Sequence, residues 1–324
     1  MKAAIVGYGI IGRVHAAVIR ALGATVSAVC DIDGQKLKEA AAEYPEAKLF
    51  SDYRALLEKG GFDIVHICTP HYLHAEMTIC ALERDFNVLC EKPLCTHSND
   101  IKKILNAERR SKGQLGVCLQ NRYNAAVAYA REYLRGKRVE AVCGSVFWKR
   151  TADYYAQAAW RGKKRTEGGG VLINQALHTL DLTALFAGMP QTVTAAVRNL
   201  THGRTIGVED CAVAFFGGEV PIDFYATTSA GADFPVSVTV KTRDETVVVL
   251  PSSVWIDGKT RDFPDDSAVY GKFCYGTGHQ KLITDFYDCL QTGRKFAIDG
   301  REGAKSVRLI FGIYRSRGRN VEIK

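Results

Sequence analysis

Three polar side chains with different chemistry lie within one otherwise apolar segment. Residues 168–181 begin with three glycines and carry an amide, an imidazole and a carboxylate at Asn174, His178 and Asp181. On a helix, spacings of four and three residues place these side chains on one face. Imidazole exchanges a proton near neutral pH, which makes His178 a candidate general acid/base. The alternative interpretation is a hydrogen-bonded network inside a protein core.

The composition is that of a globular protein with room for two domains. At 324 residues, with 47% hydrophobic and 24% charged, the chain can bury two cores of ordinary size. No apolar run approaches the roughly 18 residues of a transmembrane helix. The apolar stretch at the start is too short for a signal peptide, so we expect a cytoplasmic protein. The net charge of +8 accompanies no nucleic-acid recognition motif, and we expect neither a nucleic-acid nor a membrane partner.

The ten cysteines form no recognisable framework. They are scattered from Cys30 to Cys289, and the sequence contains no CxxC pair. No cluster of cysteine and histidine has the spacing of a zinc site. We therefore expect reduced thiols that pack as small apolar side chains, with neither a disulfide nor a metal.

Strand-like and helix-like segments alternate through the first third of the chain. The predicted strands are 2–6, 25–31, 64–68, 87–90 and 114–119, and helices are predicted over 10–22 and up to about residue 44. Such alternation is typical of a doubly wound parallel sheet.

A glycine-rich turn joins the first predicted strand to the first predicted helix. Its sequence over residues 7–12 is GYGIIG, which fits the GxGxxG pattern. In such a turn Gly7 makes the tight bend, Gly9 lets the backbone approach a pyrophosphate and Gly12 lets the helix pack on the strand. The helix then presents free N–H groups to the phosphates. We expect the cofactor to contact this turn, including Ile10 and Ile11.

Asp31, at the end of the second predicted strand, indicates which dinucleotide binds. Its carboxylate can accept hydrogen bonds from the ribose hydroxyls and would repel a 2′-phosphate. We therefore expect NAD rather than NADP, and interpret Lys36 as a solvated helix residue. The alternative role for Asp31 is that of a helix cap.

Two further motifs follow predicted strands, at the edge where ligands bind in parallel sheets. They are Cys-Thr-Pro at 68–70 and Cys-Glu-Lys-Pro-Leu at 90–94. Together with the glycine turn and residues 168–181, they make the chain resemble the glucose–fructose oxidoreductase/inositol dehydrogenase (Gfo/Idh/MocA) family over essentially its whole length.

That resemblance implies a two-domain α/β protein. A Rossmann domain with a doubly wound parallel sheet would occupy residues 1–122. An α/β domain with a large, mostly antiparallel open sheet would occupy residues 123–324, with that sheet packing against a partner to form homodimers or homotetramers. Strand-like runs at 139–149, 192–198, 212–216, 221–228, 236–242 and 245–250, and helix-like runs at 123–135, 279–290 and 303–314, agree with this division.

The resemblance also implies roles for particular residues. Lys92 would touch the reacting hydroxyl and precede a cis Pro93, and His178 would serve as acid/base. The cofactor would be contacted by Thr69, Pro70 and Glu91. Substrate contacts are expected at Arg122, Tyr123, Trp160, Arg161 and His279; the last follows Tyr275 in a loop that enters a helix.

The sequence departs from the family pattern at two positions. Inositol-dehydrogenase-like members carry Asp where this chain has Asn174, so a charged Asp–His dyad is absent. His71 replaces the usual Asn after Thr-Pro. Asp181 would orient the second ring nitrogen of His178 or cap a neighbouring loop.

The predicted function is NAD-dependent hydride transfer between nicotinamide and a hydroxyl or carbonyl of a sugar or sugar derivative. The basic run at 161–165 favours an anionic substrate, such as a uronate or a nucleotide-linked sugar. Three alternatives stay open: a nucleotide-sugar 3-dehydrogenase, an enzyme that recycles a permanently bound cofactor, and a non-catalytic sensor that binds dinucleotide.

Overall fold

The chain folds into two compact units. The computed structural model describes residues 1–264 and 278–324, so Tyr275 lies outside the described residues. The first unit comprises Met1–Gln120 with His279–Ala304, and the second comprises Asn121–Gly278 with Lys305–Lys324. The division expected from sequence, at residue 122, left 279–304 in the second domain. These residues join the first unit because their backbone covers the edge of its sheet, where Val117 N donates to Ile298 O (2.9 Å).

The first unit contains a six-stranded sheet that is parallel throughout. Its strand order is β3-β2-β1-β4-β5-β6, the order of a Rossmann fold, which confirms the predicted doubly wound sheet. The strands are β1 (Lys2–Val6), β2 (Thr25–Cys30), β3 (Lys48–Phe50), β4 (Ile64–Ile67), β5 (Asn87–Glu91) and β6 (Leu115–Cys118). The helices between them are α1 (Ile10–Ala21), α2 (Gly34–Glu43), α3 (Tyr53–Lys59), α4 (His74–Leu82) and α5 (Ser98–Arg110).

The second unit contains a nine-stranded, mostly antiparallel sheet. The order is β14-β13-β12-β11-β7-β10-β9-β8-β15, and among the described residues only β7 and β10 pair in parallel. The strands are β7 (Val139–Phe147), β8 (Thr192–Arg198), β9 (Cys211–Gly217), β10 (Ile222–Thr227), β11 (Ser237–Thr242), β12 (Thr246–Val249), β13 (Ser253–Ile256), β14 (Lys259–Asp262) and β15 (Val321–Glu322). The other α-helices in the described part of the chain are α6 (Ala125–Tyr133), α7 (Ala152–Ala156), α8 (Lys164–Glu167), α9 (Val171–Asn174), α10 (Leu177–Ala187), α11 (Gly278–Thr292) and α12 (Gly300–Ser316).

One face of this second sheet is packed and the other is open, as the alternation in the sequence predicted. Along β9, Ala212, Ala214 and Phe216 are buried, whereas Val213 and Phe215 are 52% and 54% exposed. Since successive side chains of a strand point to opposite faces, the exposed pair belongs to the open face.

The prediction of a single helix between the glycine triplet and Asp181 is wrong. The segment forms two helices, α9 and α10, separated at Gln175 and Ala176. The break arises because Ala176 N donates to Val171 O (2.8 Å), a bond that spans five residues instead of four. The turn closed by this bond contains one residue more than a regular α-helical turn. Asn174 and His178, which lie on either side of the break, therefore do not share one regular helical face.

Two glycines of the triplet, Gly169 and Gly170, are required by close packing. A Cβ at Gly169 would lie 1.8 Å from the Tyr314 hydroxyl oxygen, and one at Gly170 would lie 1.8 Å from the carbonyl oxygen of Glu209. Glu209 then accepts hydrogen bonds from Gly170 N (2.9 Å) and the Tyr314 hydroxyl (2.8 Å). The glycines therefore let α9 begin directly against a buried carboxylate.

Candidate active site

The glycine turn of the first unit has the geometry of a dinucleotide-binding loop. Gly7 has a φ of 93°, and a Cβ there would lie 2.6 Å from Cys68 O. A Cβ at Gly12 would lie 2.0 Å from Gly7 O, so α1 packs directly on the turn. At Gly9, which precedes α1, a Cβ would meet nothing within 4 Å. That open space lets a phosphate reach the N–H groups at the start of the helix. Ile10, beside it, is exposed and Ile11 is half-buried.

Asp31 is fixed by the backbone at the end of β2. Its Oδ2 accepts from Tyr8 N (2.7 Å) and its Oδ1 from Asp33 N (2.9 Å). The helix cap proposed as its alternative role belongs to Asp33, which accepts from Gln35 N. The Lys36 side chain is 39% exposed, in keeping with the prediction that it is solvated, and its Nζ lies 3.8 Å from Asp31 Oδ2. The carboxylate is thus held at the position from which ribose hydroxyls are bound in this fold.

A histidine that sequence reasoning missed links the loops after β4 and β5. The His74 ring nitrogens lie 2.7 Å from Thr69 O and 2.7 Å from Pro93 O, and the Lys92–Pro93 peptide is cis. Burial lowers the pKa of His74, while the two carbonyl oxygens favour its protonated form. His74 therefore ties Thr69 and Pro70 to the loop that carries Lys92.

Glu91 is the buried centre of a polar cluster directly before Lys92. Its Oε2 accepts from Lys92 N (3.1 Å), and its Oε1 lies 3.1 Å from His15 Nε2 and 3.4 Å from His279 Nε2. Burial alone would raise the pKa of Glu91, but the two imidazoles hold it well below its usual range. His279, predicted to contact substrate, is only 2% exposed and lies against this carboxylate in the first unit.

The same cluster includes a set of possible metal ligands. Ligand atoms of His15, Glu91, Cys118 and His279 all lie within 4.8 Å of one another, and all four side chains are buried. Imidazole, carboxylate and thiolate together are a donor set that zinc accepts. Sequence spacing could not reveal this group because its members come from four different elements. The absence of a metal stays a prediction.

In the second unit, Arg122 and Asp181 form a buried ion pair. The Arg122 Nε and Nη2 donate to the two oxygens of Asp181, each at 2.6 Å, and both side chains are less than 10% exposed. His178 lies one turn before Asp181, near the start of α10, and is also buried. Both oxygens of Asp181 thus accept hydrogen bonds from Arg122, a residue predicted to contact substrate. The role of Asp181 in orienting His178 stays a prediction.

Asn174 is bonded to a buried carboxyl that the sequence analysis overlooked. Asn174 Nδ2 donates to Glu167 Oε1 (2.5 Å), and Gly162 N donates to Glu167 Oε2. Burial raises the pKa of Glu167 to about 7, against these two hydrogen bonds. The one available signal was its place directly before the glycine triplet. The departure from the family's Asp at 174 is thus accompanied by a titratable carboxyl next to the amide.

The remaining predicted substrate contacts lie on the loop that precedes α8 and in the turn before α6. The Arg161 guanidinium lies over the Tyr154 ring, 4.4 Å from its centroid, and donates to Tyr154 O (3.0 Å). The Tyr154 hydroxyl accepts from Gln175 Nε2 (3.1 Å), which links this loop to the segment between α9 and α10. Trp160 is half-buried beside Arg161, and Tyr123 ends a 3₁₀ turn, Gln120–Tyr123.

Both units match parts of one protein family. Residues 1–119 match the oxidoreductase family with an NAD-binding Rossmann fold, and residues 136–271 match the GFO/IDH/MocA C-terminal domain. The chain therefore belongs to the Gfo/Idh/MocA oxidoreductase family, as its motifs suggested. No helix within residues 1–264 and 278–324 is long and apolar enough to cross a membrane.

Several relatives have names that state their activity. The chain is similar to a levoglucosan dehydrogenase of Pseudarthrobacter phenanthrenivorans (25% identity over 68% of this chain and 60% of that protein). It is also similar to a D-glucoside 3-dehydrogenase of Escherichia coli (28% identity over 59% of this chain and 55% of that protein). The matched stretch thus spans somewhat more than half the length of these relatives.

A solved structure resembles the chain over its whole length. The WlbA dehydrogenase of Bordetella pertussis, in complex with NADH and UDP-GlcNAcA, superposes with a TM-score of 0.85 at 29% identity. The similarity covers 100% of this chain and 98% of that one.

Proposed function

We propose that this protein is an NAD-dependent oxidoreductase that transfers hydride between nicotinamide and a hydroxyl or carbonyl carbon of a sugar derivative. The observation that carries the proposal is the Glu91–Lys92–Pro93 loop at the carboxyl end of β5, in the sheet that also presents the glycine turn and Asp31. Ligands of open parallel sheets bind along this edge. Membership of an NAD-binding oxidoreductase family supports the same assignment.

The residues present fit the cofactor. The open space at Gly9 accommodates the pyrophosphate, and Asp31 offers a carboxylate to the ribose hydroxyls. When bound, NAD⁺ would accept the hydride that leaves the substrate carbon. Asp31 would also disfavour the 2′-phosphate of NADP, since like charges repel.

Lys92 and His178 supply the proton chemistry in this proposal. As the C–H bond breaks and its electron pair leaves as hydride, the hydroxyl oxygen develops negative charge. The Lys92 ammonium donates a hydrogen bond to that oxygen and stabilises it. The His178 imidazole accepts the hydroxyl proton, which completes the oxidation to a carbonyl; in the reverse direction it returns the proton.

A nucleotide-linked sugar, oxidised at C3, is the specific substrate class we favour. Two observations support it: the full-length similarity to WlbA, whose structure holds UDP-GlcNAcA, and the exposed basic side chains Lys163, Lys164 and Arg165. Cationic side chains attract the diphosphate and the uronate of such a ligand. The name of the glucoside 3-dehydrogenase relative supports oxidation at C3.

The open face of the second sheet supports a homodimer or homotetramer. Phe147, Val213 and Phe215 expose between 39% and 54% of their surface. Large exposed apolar side chains on a flat sheet are typical of a subunit interface. A cytoplasmic location is proposed with it, in keeping with the nine free thiols among the described residues.

The proposal is tested with NAD⁺, NADP⁺ and a substrate panel of UDP-GlcNAcA, levoglucosan, glucosides and inositol, followed by absorbance of the reduced cofactor. We expect Lys92→Ala and His178→Ala each to lower kcat by about 10²-fold or more, with NADH affinity retained. Lys112→Ala and His97→Ala, both at exposed positions, are the matched controls. Normal turnover in the Lys92 and His178 variants would contradict the mechanism, and NADH binding without any turnover would favour a sensor.

A further inference from the structure

Four buried side chains of the first unit form a continuous line of hydrogen bonds that ends at the backbone of Lys92. The Tyr287 hydroxyl lies 3.0 Å from His66 Nε2, and His66 Nδ1 lies 2.9 Å from His15 Nδ1. His15 Nε2 lies 3.1 Å from Glu91 Oε1, and Glu91 Oε2 accepts from Lys92 N. The relay therefore comprises Tyr287, His66, His15 and Glu91. Each member is at most 5% exposed.

With Glu91 ionised and both imidazole rings neutral, one placement of protons satisfies every contact of the relay. A carboxylate can only accept, so His15 Nε2 must carry the proton that points at Glu91. The neutral His15 ring then accepts at Nδ1 from a proton on His66 Nδ1. His66 Nε2 in turn accepts from the Tyr287 hydroxyl.

Resting on the function proposed above, we infer that the relay positions Lys92 for catalysis. His15 fixes one oxygen of Glu91, with His279 as a second neighbour of that oxygen, and the other oxygen holds the Lys92 amide. Tyr287 fixes the tautomer of His66, and His66 fixes that of His15. His66 therefore acts on Lys92 through two intermediaries and Tyr287 through three. Tyr287, His66 and His15 are assigned contact with neither substrate nor cofactor and are positioning residues. Glu91, a predicted cofactor contact, positions Lys92 through the hydrogen bond from its amide.

The geometry matters because Lys92 has to meet a single oxygen atom. Small displacements of a catalytic group cost large factors in rate, and a misplacement of about 1 Å can cost about 10²-fold. Lys92 follows directly after β5, where the strand's own ladder ends. The Lys92 amide lies beyond the last residue of β5, and the Glu91 carboxylate accepts its hydrogen bond in place of a neighbouring strand.

Metal binding would reverse the proton order of the relay. For His15 Nε2 to ligate a cation together with Glu91, Cys118 and His279, that nitrogen would have to present its lone pair and not a proton. The proton of His15 would then lie on Nδ1. Determining the tautomers of His15 and His66 therefore distinguishes a hydrogen-bonded relay from a metal centre.

The first experiment compares His15→Leu with His15→Gln, because a glutamine amide can replace the imidazole Nε2–H as donor to Glu91. We expect His15→Leu to lower kcat about 10²-fold while the Kd for NADH changes less than about threefold. His15→Gln is expected to recover at least about tenfold of that loss. Both variants remove the ring, so a purely structural role would lower kcat equally in both and in step with Tm. Glu108→Gln alters another carboxylate that accepts a backbone N–H, from Gly300, and serves as control.

The second experiment reads the tautomers of the intact protein by ¹⁵N NMR, independently of turnover. The relay requires a proton on His15 Nε2 and on His66 Nδ1. A proton on His15 Nδ1, or one tightly bound zinc per chain that Cys118→Ser removes, would overturn the inference. If Lys92→Ala keeps full turnover, the proposed function has failed; if Lys92→Ala is inactive while His15→Leu is normal, only the positioning role has failed.

Discussion

The carboxyl of Glu167 makes the stability of the second unit depend on pH in a predictable direction. Its pKa rises from the ordinary value of 4.5 to about 7 because it is buried. Between these values the unfolded chain has lost the proton and the folded unit still binds it. Stability therefore falls as pH rises through this window, and the contribution is constant above about pH 7.

The size of the effect follows from the pKa difference. Each pKa unit corresponds to about 1.4 kcal/mol, so the shift of Glu167 corresponds to about 3 kcal/mol once the folded state has ionised. Glu167→Gln keeps the shape of the protonated carboxyl and cannot titrate. As pH rises from 5 to 8, the free energy of unfolding of the variant should therefore increase by about 2 to 3 kcal/mol relative to that of the native protein.

The assay is urea unfolding followed by tryptophan fluorescence at several pH values. All three tryptophans, Trp148, Trp160 and Trp255, lie in the second unit, so the signal reports on the unit that contains Glu167. Glu140→Gln removes a carboxylate at an exposed position of the same unit and controls for charge. A stability difference between Glu167→Gln and the native protein that varies by less than about 0.5 kcal/mol from pH 5 to pH 8 would refute the reasoning.

Two further predictions concern the cofactor and the buried ion pair. Asp31→Asn keeps an acceptor and removes the charge, so we expect kcat/KM for NADP⁺ relative to NAD⁺ to rise at least about tenfold; an unchanged ratio would show that Asp31 does not select the cofactor. Arg122→Gln or Asp181→Asn should each destabilise the second unit by about 3–5 kcal/mol in urea unfolding, because each leaves a buried charge without its partner. The double variant Arg122→Met, Asp181→Leu should recover most of that loss, and a double variant as unstable as the sum of the two would contradict this.

The parts of the fold that could be predicted from sequence are those with a strong local pattern. Strands such as β1 and β5 contain short buried apolar runs, AAIV and VLC, and the glycine turn occupies three fixed positions of a known loop. The strands not predicted are short: β3 has three residues, β15 has two, and β13 and β14 have four each, with β14 exposed throughout. Their positions are set by pairing with neighbouring strands, which leaves little trace in the local sequence.

The sequence predicted several residues of the candidate site but not which side chains bond to one another there. Lys92 and His178 belong to recognisable motifs, but Tyr287 lies 221 residues from His66, and Asp181 lies 59 residues from Arg122. Such pairs depend on the tertiary fold, so spacing along the chain cannot show them. The break between α9 and α10 escaped prediction for a different reason: one shifted backbone hydrogen bond changes which side chains share a face without changing the sequence pattern.

Hydride transfer from a sugar carbon to NAD⁺ is tested most directly by isotope transfer. UDP-GlcNAcA carrying deuterium at C3 is incubated with NAD⁺ and the protein, and the NADH formed is analysed by mass spectrometry. The proposed function predicts NADH that is one mass unit heavier, with the deuterium on the nicotinamide ring, and no such product with Lys92→Ala. Unlabelled NADH would contradict oxidation at C3, and the absence of NADH from every sugar of the panel would contradict the assignment as a sugar dehydrogenase.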